Sequence, residues 1–66
     1  MYPNLRAEMA RNRVTMSDLA GVLGITISTM SQKMNGKFDF SLSEALKIKE
    51  AIKCDASIEE LFYKED

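Results

Sequence analysis

The side chains best able to form uncharged hydrogen bonds are concentrated in one stretch, GITISTMSQKMNGK, from Gly24 to Lys37. This stretch holds four hydroxyl groups, a glutamine and an asparagine, and it contains no acidic residue. Hydroxyl and amide groups both donate and accept hydrogen bonds, so they suit a polar partner surface. The absence of acids, in a chain whose formal net charge is −1, is compatible with a partner that is itself negatively charged.

Charge is also divided unevenly along the chain, with the basic excess in the part that contains this stretch. Residues 1–37 contain five basic and two acidic residues, whereas residues 38–66 contain four lysines and eight acidic residues. The net charges of +3 and −4 suggest that the first part faces a polyanion and the second part does not. Chance clustering in a short chain is the alternative interpretation.

Several kinds of chemistry lack the residues they need. The chain has no histidine, a single cysteine and no phosphate-binding loop, so we predict that it is not an enzyme and uses no metal and no cofactor. Cys54, with Ile52 and Ile58 nearby, is expected to be a small buried side chain. We find no membrane-spanning run and no leader, so the expected location is cytoplasmic.

Helix signals recur along the chain, and strand signals are absent. Three capping boxes are expected, each formed by a hydroxyl residue and an acid three residues later: Thr15 with Asp18, Ser41 with Glu44, and Ser57 with Glu60. Gly24 suits a left-handed helix end. These signals predict a compact all-α domain of five short helices.

Apolar spacing predicts which side chains face the core. In the first helix these are Leu5 and Met9, and in the fourth they are Leu42, Ala45, Leu46 and Ile52. Lys49 falls in the middle of the fourth helix's apolar arc. Its side chain could extend to the surface, pair with a glutamate, or mark a partner surface.

Residues 16–35 form a unit of two helices around a turn at Gly24. Ala20 is small enough for a close helix crossing, and Gly24 permits the positive φ of a sharp turn. The apolar residues expected to fill the wedge between these helices are Leu19, Leu23, Ile25 and Met30. An ordinary helical hairpin is the alternative.

The segment TMSDLAGVLGITISTMSQKMNGK resembles the helix-turn-helix of phage lambda repressor/Cro-like (Xre-type) DNA-binding domains. NGKFDFSLSEALKIKEAI and SIEELF resemble that family's fourth and fifth helices, so the resemblance runs from about Asn4 to Phe62. It implies one helix-turn-helix domain over residues 1–66, with the unit at about residues 16–35. The implied function is a sequence-specific double-stranded DNA-binding transcriptional regulator, a phage-derived repressor that occupies an operator through the major groove in the nucleoid.

The resemblance also implies roles for individual residues. Base readout falls to the start and outer face of the third helix, with Ile27, Ser28, Thr29 and Gln32. Burial of Ile27 is equally compatible with its position. Contacts to the DNA backbone are expected from Thr15, Met16, Thr26, Lys33, Asn35 and Lys37.

Two departures from the family pattern involve methionines. Many members join an arginine in the first helix to a glutamate late in the third, and the matching positions here are Met9 and Met34. We expect these two side chains to pack together. Met16 stands where many members have a phosphate-binding glutamine.

Double-stranded DNA is the expected partner, bound by a homodimer, with no membrane and no small-molecule substrate involved. Self-association is expected through the Phe62 and Tyr63 end or the loop before the fourth helix. The rival hypothesis is a protein-interaction module on the same fold, of the antitoxin or anti-repressor type. Its surface would come from the aromatic residues outside the helix-turn-helix unit: Phe38, Phe40, Phe62 and Tyr63.

Overall fold

A computed structural model describes residues 1–65 of the chain. The helices are α1 (Pro3–Arg11), α2 (Met16–Leu23), α3 (Ile27–Met34), α4 (Leu42–Ile52) and α5 (Ile58–Leu61). Residues 1–65 contain no strand, and the predicted five-helix all-α fold is confirmed. Asp66, the last residue of the predicted domain, lies outside the described residues.

The helix ends follow the sequence signals closely. Thr15 and Asp18 form a reciprocal capping box at the start of α2, and Ser41 and Glu44 form another at the start of α4. The predicted box at α5 is only half present. The Ser57 hydroxyl accepts the Glu60 N–H at 3.2 Å, but the Glu60 carboxylate accepts from the Ser57 hydroxyl rather than from its backbone N–H.

One apolar core joins all five helices. Leu5, Leu19, Met30, Met34, Ile48 and Leu61 are completely buried within it, and Tyr2, Met9, Ala20, Ile52 and Cys54 are nearly so. Tyr2 also contacts the rings of Phe40 and Phe62 edge-on, with centroids 5.3 and 6.0 Å away. Burial of Cys54 confirms its expected role. No helix among residues 1–65 has the length and apolar character needed to cross a membrane.

The expectation that Leu42 and Leu46 point inward is wrong. Their side chains are 69% and 51% exposed, and α4 instead turns Ala45, Ile48 and Ile52 to the core. Because α4 is turned about its axis relative to the expected orientation, Lys49 lies at the edge of its buried face and is only half-buried. The domain thus avoids burying an ammonium group, at the cost of exposing two leucines.

Candidate nucleic-acid interface

Helices α2 and α3 are held together by a turn and by the apolar residues expected between them. Of these, Leu19 and Met30 are completely buried, whereas Leu23 and Ile25 are half-buried against the core. Gly24 caps α2 with φ 70° and ψ 32°, a left-handed conformation that glycine adopts without the Cβ clash of other residues. The next residue, Ile25, donates its N–H to the Ala20 carbonyl at 2.9 Å and packs against the core. This turn fixes the direction in which α3 leaves α2.

Helix α3 is anchored on one side and open on the other. Met30 and Met34, four residues apart, are both completely buried. The opposite side carries Ser28, which is exposed, and Thr29 and Gln32, which are half-buried. The four predicted base-reading residues thus lie away from the methionine anchor or at the free helix start.

The structure decides between the two placements of Ile27. Its side chain is 54% exposed at the first position of α3, so it is not a core residue. Val22, near the end of α2, is also exposed, at 44%. An exposed β-branched residue at the start of the helix is available to a methyl group on a partner surface.

The hydroxyl groups at the start of α3 differ in their availability. Thr26 accepts the Thr29 N–H at 3.1 Å, and its hydroxyl lies 3.0 Å from the Thr29 hydroxyl, so the two form a local cap. The side chains of Ser28 and Gln32 make no hydrogen bond within residues 1–65. Ser28 and Gln32 therefore keep their full donor and acceptor capacity for an external partner.

The start of α2 presents backbone donors beside the same turn. Its cap uses the N–H groups of Thr15 and Asp18, which leaves those of Met16 and Ser17 without an acceptor in the described chain. The hydrogen bond from the Thr15 backbone lowers the pKa of Asp18 below its ordinary value of 3.8. The Met16 side chain packs against the core, so only its backbone can meet an anion here.

The end of α3 brings in a cation that the sequence did not reveal. Arg6 of α1 donates from Nη2 to the Asn35 side-chain oxygen at 3.3 Å. Lys37 is exposed in the loop beyond, and its N–H donates to the Gln32 carbonyl at 2.9 Å. Nothing in the spacing of α1 identifies Arg6, because its position beside Asn35 depends on the packing of helices distant in sequence.

Lys33, a predicted backbone contact, has its ammonium group engaged within the protein. Its Nζ lies 3.2 Å from Glu44 Oε1 and 3.1 Å from the Asp39 carbonyl oxygen, and its side chain is 13% exposed. The predicted phosphate contact of Lys33 stays untested. It would require the ammonium group to leave these partners.

The first two acidic side chains that follow α3 in the chain, Asp39 and Glu44, are each paired with a lysine. The Asp39 carboxylate accepts from Lys64 Nζ at 2.8 Å, and this hydrogen bond lowers the pKa of Asp39 and raises that of Lys64. Glu44 is paired with Lys33. The exposed cations Arg6 and Lys37 therefore dominate the electrostatics at the end of α3.

Comparison with models of protein families identifies the family of this chain. A family model described as the Cro/C1-type HTH DNA-binding domain matches residues 4–66. Searches of curated proteins and of solved structures find no match to this chain. The family match covers the helix-turn-helix, α4 and α5, and all of α1 except its first residue, Pro3.

Proposed function

Since the chain belongs to the Cro/C1-type HTH DNA-binding domain family, we propose that it is a sequence-specific transcriptional regulator that binds double-stranded DNA. The observation that carries this proposal is the outer face of α3. There, the side chains of Ser28 and Gln32 make no hydrogen bond within residues 1–65, while Met30 and Met34 anchor the opposite side. Such a helix can enter a major groove without losing its own packing. The proposal includes no catalytic role.

The proposed readers are four side chains at and beyond the start of α3. Gln32 can make a bidentate contact to adenine N6 and N7, and the Ser28 hydroxyl can donate or accept at a neighbouring base. Ile27, exposed at the helix start, is suited to a thymine methyl group. Thr29 flanks them, with its hydroxyl held by the Thr26 cap.

Phosphate contacts are proposed on both sides of this helix. On one side lie the backbone N–H of Met16 and the caps Thr15 and Thr26, where the helix dipoles favour anions. On the other side lie Asn35 and Lys37. We add Arg6, because its guanidinium group lies beside Asn35, and we omit Lys33, whose ammonium group is engaged.

We further propose that residues 1–66 act as one domain that binds as a homodimer and represses by occupying an operator, as a phage-type regulator would. A single short helix reads only about four or five base pairs, so two copies about 34 Å apart would read a two-fold site. Four of the exposed apolar residues outside α2 and α3 are proposed to supply the contact between copies: Phe38, Leu42, Leu46 and Tyr63.

The same exposed apolar residues support a second candidate function. A protein-interaction module of the antitoxin or anti-repressor type would bind a protein partner through Phe38, Leu42, Leu46 and Tyr63. The excess of acidic residues in positions 38–66 suits a basic partner. Under this alternative, duplex DNA would not be bound at any salt concentration.

Titration of a random-sequence duplex at several salt concentrations separates the two candidates. We expect binding at low salt, with the logarithm of the association constant falling linearly with the logarithm of the salt concentration. The fall arises because each neutralised phosphate releases counterions. Each phosphate contact should contribute about 0.9 to the slope. Absence of binding at low salt, or an affinity independent of salt, would contradict the DNA-binding proposal.

A further inference from the structure

Lys33 connects three consecutive parts of the fold through one ammonium group. The side chain begins on α3, and its Nζ reaches the Asp39 carbonyl at 3.1 Å and Glu44 Oε1 at 3.2 Å. The same Nζ lies 5.7 Å from the centre of the Phe40 ring, within the range of a cation–π interaction. Lys33 therefore links α3 to the loop of residues 35–41 and to the first turn of α4.

Glu44 is tied to the same loop from the other side. Its Oε1 accepts the Ser41 backbone N–H at 2.9 Å as well as the Lys33 ammonium group, and its own N–H is accepted by the Ser41 hydroxyl at 3.1 Å. One carboxylate thus both caps α4 and pairs with α3. The Glu44 side chain is 24% exposed, so loss of its cation would leave a partly desolvated charge unpaired.

The loop held in this way contains the exposed Lys37. At its start, the Lys37 N–H bonds to the Gln32 carbonyl, and near its end the Asp39 carbonyl bonds to Lys33. A residue in a loop that is ordered before binding loses less conformational freedom on contact than one in a mobile loop. The position of Lys37 therefore depends on the partners of Lys33.

We propose that Lys33 is a positioning residue that does not contact DNA but holds the loop of residues 35–41 so that Lys37 meets a phosphate. This inference rests on the proposed DNA-binding function and deepens it. If Lys33 instead contacted a phosphate directly, its ammonium group would have to leave both Glu44 and the Asp39 carbonyl.

Glu44→Gln gives the sharpest test, because the two interpretations predict opposite changes. The glutamine oxygen can still accept the Ser41 N–H, but the ion pair with Lys33 is lost. Removal of a negative charge, or release of Lys33 toward a phosphate, would strengthen DNA binding. Positioning predicts weaker binding, by about three- to tenfold, as expected from losing the pre-ordering of one long side chain.

Glu50→Gln is the matched control, since Glu50 is an exposed residue on the same helix with no ion pair within residues 1–65. It removes the same charge and should bind DNA slightly more tightly than the wild-type protein. Affinities are compared at one salt concentration, with circular dichroism confirming that all variants are folded. If Glu44→Gln binds as tightly as Glu50→Gln, the positioning role is refuted.

A second pair of variants tests the same role through the salt dependence. Lys37→Met should reduce the salt slope by about 0.9 for each protomer, because it removes a phosphate contact. Lys33→Met should weaken binding but leave the slope unchanged, because Lys37 can still reach the phosphate and loses only its pre-ordering. For the same reason Lys33→Met should add little to the loss in a Lys37→Met background. A slope reduced by about 0.9 in Lys33→Met, an unchanged affinity, or additive losses would overturn the proposal.

The wild-type titration keeps this inference separate from the proposed function. Failure of the wild-type protein to bind any duplex refutes DNA binding itself, and with it the positioning role. If the wild-type protein binds DNA and Glu44→Gln binds it more tightly than the wild-type protein, only the positioning role of Lys33 is refuted.

Discussion

Replacement of Met34 by glutamate tests the packing that anchors α3. Met34 is completely buried, and Met9 of α1, with 8% exposure, belongs to the same apolar cluster. An uncompensated buried charge costs about 3–5 kcal/mol. A domain of 66 residues has a total stability of only about 3–10 kcal/mol. We therefore expect Met34→Glu to lose most or all of its free energy of unfolding.

A second substitution should recover much of this loss. Met9 lies at the edge of the core, so an arginine there can keep part of its side chain in water while its guanidinium group reaches a carboxylate at position 34. Coupling between two residues in contact is about 0.5–3 kcal/mol. Met9→Arg with Met34→Glu should therefore be more stable than Met34→Glu alone.

Equilibrium urea unfolding, followed by far-ultraviolet circular dichroism, measures these differences. Met34→Leu is the control, because an apolar exchange of similar volume costs less than about 1.5 kcal/mol. The contact between Met9 and Met34 stays a prediction until this cycle is measured. A double variant that is no more stable than Met34→Glu would show that the two side chains do not meet.

Three further perturbations follow from individual features. Lys53 ends α4 in a left-handed conformation with φ 59°, so Lys53→Gly should raise the free energy of unfolding by about 1 kcal/mol, measured by urea denaturation. Lys47→Gly, inside α4, should lower it. The Ser41 backbone hydrogen bond lowers the pKa of Glu44 below its ordinary value of 4.5. Ionised Glu44 therefore stabilises the folded domain fully at pH values above 4.5, and this contribution is lost as the pH falls through the lowered pKa. In urea titrations below pH 4.5, Glu44→Gln should lose stability less steeply than the wild-type protein, and an equal slope would contradict this assignment. Leu46→Lys, which charges the exposed apolar surface of α4, should abolish cooperative binding to a two-fold site while leaving half-site binding intact, measured by gel shift on full and half operators.

Local signals in the sequence predicted the helices and their caps well. A hydroxyl residue followed by an acid three positions later specifies a helix start almost on its own, as Thr15 and Ser41 show. Gly24 likewise marks a turn that few other residues tolerate. The buried face of α3 was also predictable, because Met30 is its central apolar residue and polar residues occupy the other side.

The rotation of α4 could not be predicted in the same way. Apolar residues surround most of this helix, so two arcs were compatible with its sequence, and the choice between them depends on which neighbours the helix meets. Tyr2 was missed as a core residue because its burial depends on Phe40 and Phe62, which are distant in sequence. The engagement of Lys33 by Glu44 and the approach of Arg6 to Asn35 depend on tertiary packing for the same reason.

Selection of bound sequences from a random duplex pool, with wild-type and Gln32→Ala proteins in parallel, tests the central claim most directly. The wild-type protein should enrich sites with inverted symmetry. Gln32→Ala should lose its preference at one position in each half-site, a discrimination of about 1–3 kcal/mol, while the other positions keep theirs. Lys37→Ala, as a control, should weaken all sequences equally. An unchanged preference in Gln32→Ala would contradict the assignment of α3 as the helix that reads DNA.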